Sequence, residues 1–88
     1  MEFSGHARQM MAERGISETW VRQTVAHPDT WGEGSDEFGK VIYYWKIIED
    51  MTGTVLKVTV NPDASPRRVV TLHPDRGMRR QMEKEGKL

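Results

Sequence analysis

Three runs in the second half of the chain set the outline of any fold it can adopt: KVIYYWKII at 40–48, TVLKVTV at 54–60 and RRVVTLH at 67–73. Each is rich in β-branched or aromatic residues and is bounded by turn-forming Gly, Pro, Asn, Asp or Ser, which predicts a strand. The connections EDMTG and NPDASP are short. Consecutive strands joined by so few residues pair antiparallel, because a parallel pair needs a long crossover. The expectation is an antiparallel meander with strands at about 40–48, 54–61 and 67–73.

Side chains alternate between the two faces of a strand. In the second run Leu56, Val58 and Val60 share one face, and Val55, Lys57, Thr59 and Asn61 the other. In the third, strict alternation groups Val70 with Leu72 and sets Arg67, Val69, Thr71 and His73 opposite. One face is therefore apolar, and the other carries Lys57, Thr59, Arg67, Thr71 and His73. Tyr44 and Lys46 join this open face if the even positions of the first run turn that way. The aromatic run Tyr43-Tyr44-Trp45 offers rings for stacking on bases, but it is read mainly as core, with Trp45 buried.

The first third changes period. Phe3, Ala7, Met10 and Met11 form one helical stripe over 4–14, with Ser4 as N-cap and Gly15 as the stop. Ser17 caps a second helix over 17–26, whose stripe is Trp20, Val21, Thr24 and Val25, and Pro28 ends it. Residues 31–39 are glycine-rich and acidic and read as an exposed loop. The tail, 75–88, forms a short helix through Met78 and Met82 or frays. The sum is a single α+β domain over 1–88: two N-terminal helices packed on a small antiparallel sheet of three to four strands, with a possible short C-terminal helix.

Several function classes are excluded or disfavoured. There is no cysteine, hence no disulfide, no thiolate metal site and no cysteine nucleophile. The three histidines fall in three separate elements without metal-ligand spacing, so neither a metal nor a cofactor is expected. The glycine-rich GEGSDEFG has no lysine after its glycines and is acidic, unlike a phosphate loop. No apolar run approaches the roughly 20 residues of a membrane span, and no signal pattern opens the chain. A cytoplasmic protein is expected.

Net charge is zero, but its distribution is uneven. Residues 29–39 hold Asp29, Glu33, Asp36 and Glu37 and no base, whereas residues 54–80 hold six bases against Asp63 and Asp75. The C-terminal half therefore offers a basic surface to a polyanion. Histidine is the side chain that titrates near neutral pH. His27 follows a helix, where a cation suits the dipole, and reads as structural. His73 closes a strand on the open face, and His6 stands at a helix start, where a charged imidazole gains little. Both are candidates for proton transfer.

His6, Ala7, Met11, Arg14, Ile16 and Ser17 together make a His-Ala-x-x-x-Met-x-x-Arg-x-Ile pattern. On these residues the chain, over about 4–73, resembles a family of small bacterial proteins classed as a domain of unknown function. Met10 stands where members of that family often carry arginine. The family in turn resembles the RelE/ParE- and BrnT-type toxins in layout. The resemblance implies a toxin of a toxin–antitoxin pair that cleaves RNA without metal, alone or on the ribosome, with a cognate antitoxin as partner. It implies catalytic roles for His6, Arg14, Tyr44, Lys46 and His73, and RNA contacts from Lys57, Arg67 and Thr71. The competing expectation is a non-catalytic module that binds protein or RNA. The sequence leaves the oligomeric state open.

Overall fold

A computed structural model of the chain describes residues 1–37 and 39–88. The elements run β1 (Glu2–Phe3), α1 (Gly5–Arg14), α2 (Glu18–Ala26), β2 (Thr30–Asp36), β3 (Gly39–Ile48), a 3-10 turn (Glu49–Met51), β4 (Thr54–Asn61), β5 (Arg68–Pro74) and α3 (Arg76–Lys84). Ser4 Oγ accepts the Ala7 amide at 3.0 Å and starts α1. Gly15, at φ 64°, ends it in the left-handed region, where its N–H donates to the Met11 carbonyl. Ser17 caps α2 in the same way through the Trp20 amide, at 3.1 Å.

The strands form one sheet in the order β1-β5-β4-β3-β2. The pairs among β2, β3, β4 and β5 are antiparallel, while β1 lies parallel to β5. α1 and α2 cover one face, where Ala7, Ile16 and Val21 are buried against Phe3, Ile48, Leu56, Val58, Val60, Val69 and Leu72. Burying a Leu or Val side chain of this kind contributes about 1.5–3 kcal/mol. α3 contacts β4, and Met82 of α3 and Val55 of β4 are both buried outside that cluster. Val55 lies on the opposite face from Leu56, so α3 closes one end of the second face.

The sheet thus departs from the expected three- to four-stranded antiparallel meander under two N-terminal helices. It is a mixed, five-stranded sheet, and the three helices are split around the strands. β1 adds the parallel pair. Two residues are too few to show alternation, and β1 is held by contacts distant in sequence. The Glu2 amide donates to Arg67 O at 2.8 Å, and the Ser4 amide and hydroxyl donate to Val69 O and Val70 O. The Phe3 ring lies under the guanidinium groups of Arg8 and Arg22, at 5.2 and 5.1 Å.

Residue 38 lies outside the described residues, and the acidic, glycine-rich stretch up to Asp36 is not a loop. It forms β2, which pairs with β3 from Thr30↔Trp45 to Asp36↔Gly39. Gly34 is a packing requirement: a Cβ there would lie 2.5 Å from the Tyr43 ring. The tail forms a nine-residue helix, capped by Asp75, whose Oδ1 accepts the Met78 amide at 2.9 Å.

β5 also breaks strict alternation. Thr59 faces Thr71, but Val60 faces Val69, so the register shifts and Val70 is skipped. Such a bulge turns the residues before it onto the other face. Val69 therefore joins the helix-covered core at full burial. Arg67 leaves the second face with it, and its Nη2 donates to the Tyr44 hydroxyl at 2.6 Å.

Candidate site on the second face of the sheet

The connection between β3 and β4, residues 49–53, pairs Ile48 with Thr54, Trp45 with Lys57 and Tyr43 with Thr59. Residues directly opposite each other share a face. The odd positions of β3 therefore accompany Lys57, and the even ones turn to the helices. On β5, His73 faces Lys57 and Thr71 faces Thr59. Two rows cross the second face as a result: Trp45, Lys57, His73, and Tyr43, Thr59, Thr71.

Lys57 sits between two rings. Its Nζ lies 4.4 Å from the Tyr43 ring centroid and 5.5 Å from that of Trp45. The rings are 5.9 Å apart and tilted at 45°. Gly34 of β2 gives the Tyr43 ring room, since a side chain there would run into it, and Gly32 lies beside the Trp45 ring. Trp45 Nε1 donates to Asp75 Oδ2 at 3.0 Å, which ties the platform to the start of α3. One carboxylate thus orients a ring and caps a helix.

Burial lowers the His73 pKa below its ordinary value of 6.5, and the Lys57 and Arg14 cations add to this while Asp75 opposes it. The shift favours the neutral imidazole, the form that accepts a proton. Burial works against ionisation of Asp75. The Met78 amide, the Trp45 indole and the charges of Lys57 and His73 outweigh it and hold the carboxyl below its usual range.

Of the residues singled out from sequence, Lys57, Thr71 and His73 come together here. Arg14, exposed on the last turn of α1, reaches the group through its charge on His73. Tyr44 and Lys46 turn to the helix side. Tyr44 packs against the core, and Lys46 Nζ donates to the His27 carbonyl at 2.9 Å, where it satisfies the end of α2. Arg67 is held on that side by its bond to Tyr44. His6 is exposed on the first turn of α1, and among the described residues no side-chain hydrogen bond or ion pair fixes it. Sequence reasoning missed Tyr43, Trp45 and Asp75 as members of the group. The signal for the two rings was the connection at 49–53, whose length sets which β3 residues face Lys57. Asp75 is the first polar residue before a helix that carries Met78 and Met82, which is a cap signal.

A family model described as a domain of unknown function, DUF4258, matches residues 3–73. The chain belongs to the DUF4258 family. The DUF4258 match runs from Phe3 of β1 to His73 and stops short of Asp75 and α3. No curated protein and no solved structure matches the chain. Among the described residues, no three His, Cys, Asp or Glu side chains converge as a metal site, and no helix is long and apolar enough to cross a membrane.

Proposed function

We propose that the second face of the sheet binds single-stranded RNA and cleaves it without a metal, as a toxin of the RelE/ParE and BrnT kind. Its target is RNA, free or on the ribosome, and its protein partner a cognate antitoxin. The observation that carries this reading is Lys57 held between Tyr43 and Trp45, with His73 opposite it across the strand pair. Rings stack on bases whatever their identity, and a cation beside them meets the phosphate.

In the proposed reaction a ribose 2′-hydroxyl attacks the adjacent phosphorus. Neutral His73 takes the hydroxyl proton as the new O–P bond forms. The P–O5′ bond breaks, and the 5′ oxygen takes a proton from the Lys57 ammonium, which also stabilises the charge gathering on phosphate. The products are a 2′,3′-cyclic phosphate and a 5′-hydroxyl. Tyr43 and Trp45 hold the base, Asp75 fixes Trp45, and the half-buried Thr71 supplies a hydroxyl along the strand.

The test is incubation of wild-type protein with structured RNA, with and without ribosomes, in the presence of a chelator, followed by mapping of the cleaved ends. Wild type leaves cyclic phosphate ends, His73→Ala and Lys57→Ala are slower by about 10²–10⁴, and His6→Ala matches wild type. Undiminished cleavage by His73→Ala would sink the mechanism. Salt-sensitive RNA binding with no cleavage by wild type would make the protein a binding module instead.

A further inference from the structure

β2 is the outermost strand on the side of the sheet away from β1, and β3 is its one neighbour in the sheet. Its seven residues follow β3 without a register shift, and the run contains no proline. Such an edge presents backbone donors and acceptors that another strand can take up. Proteins ordinarily blunt it with proline, a bulge or lysine. β2 carries Trp31 instead, 59 % exposed.

The two faces of this edge are unlike. Trp31, Glu33 and Ser35 alternate onto the helix side, and Trp31 faces Tyr44. On the other side Gly32 and Gly34 leave the backbone bare, with the Tyr43 ring filling the place of a Gly34 side chain. An added strand would set alternate side chains against Trp31 and Glu33. The others would reach across the glycines to the Tyr43 ring.

Charge selects the occupant. Residues 29–39 hold four acids and no base. Glu33 meets Lys40 at 3.9 Å, but both side chains stay more than half exposed, so the carboxylate is still open to a second cation. A second copy of this chain would bring the same acids to the seam, and like charges across a strand pair oppose pairing. A basic strand complements it. The geometry points to β2 as a docking edge for an extended, lysine- or arginine-bearing segment of another protein, added as a sixth strand with cations toward Glu33 and apolar residues toward Tyr43. Backbone bonds would provide affinity, and the alternating side chains the selectivity.

The probe is a short synthetic peptide alternating lysine and valine, titrated into the isotope-labelled full chain and followed by amide shifts and hydrogen exchange. The amides of residues 30–36 should shift, the alternate ones that face away from β3 should gain protection, the Trp31 indole should move, and binding should weaken as salt rises. A peptide alternating glutamate and valine should not bind. Trp31→Ala should weaken the lysine peptide about tenfold, and Glu33→Lys, also exposed, should do so mainly at low salt. Three results would overturn the inference: no shift at residues 30–36, equal binding of the glutamate peptide, or a dimer in sedimentation with those amides already protected. The last would assign the edge to a second copy.

Discussion

Leu56 and Lys57 are neighbours in one strand and belong to different worlds. Leu56 is fully buried under α1 and α2 with Val58, Val60 and Leu72, while Lys57 rests half-buried against two rings on the face that α3 partly closes. The helix-covered face is a continuous apolar cluster. The second face gathers a cation, an imidazole, two hydroxyls and a carboxylate along the same strands. Folding needs the first arrangement, and most of it would survive without the second. The proposed binding role rests on this contrast between the two faces.

Substitutions can break or sharpen that contrast. The largest difference is expected between neighbours: Leu56→Ala should cost about 2–5 kcal/mol in denaturant unfolding, and Lys57→Ala under about 1 kcal/mol, the scale of its ring contacts. Similar losses would erase the distinction between the faces. Gly34→Ala comes next. Its methyl must displace the Tyr43 ring, at about 1–3 kcal/mol of overpacking, and the near-ultraviolet dichroism of the aromatic pair should change with it. An unchanged spectrum would mean that β2 does not press on the platform.

Asp75→Ala should lose about 0.5–2 kcal/mol through the α3 cap and free the Trp45 indole, read as faster exchange of its N–H. The smallest effect is a pH dependence. Because the fold holds the His73 pKa below 6.5, the unfolded chain takes its proton first as pH falls. Stability from this group is therefore whole above 6.5 and declines below it, until the folded imidazole also protonates. His73→Gln should flatten that part of the stability–pH curve; an unaltered slope would show that His73 does not cause it.

Much of the framework could be read from the residues themselves. Ser4, Gly15 and Ser17 mark the ends of α1 and α2 through local chemistry, and alternation separates Leu56 from Lys57 without any tertiary information. What alternation cannot show is register. The bulge that skips Val70 sent Arg67 and Val69 to the other face, and the β3–β4 connection exchanged Tyr44 and Lys46 for Tyr43 and Trp45. β1 was illegible because its two residues are held by partners more than sixty positions away. β2 was hidden by its glycines, and the reason for Gly34, a ring lying over the backbone, comes from another strand. His6 drew attention by its place in a motif, yet the fold leaves it on an exposed helix turn, apart from the row that holds His73.

The most direct test of the second face as the binding site uses the three tryptophan indoles, which fall in different surroundings: Trp20 on α2, Trp31 on the outer edge and Trp45 on the platform. Their N–H signals, followed while a single-stranded oligoribonucleotide is titrated into the protein, report on all three at once. The account predicts that the Trp45 signal shifts and saturates while those of Trp20 and Trp31 stay in place. A Trp45 signal that stays fixed while RNA binds would contradict it.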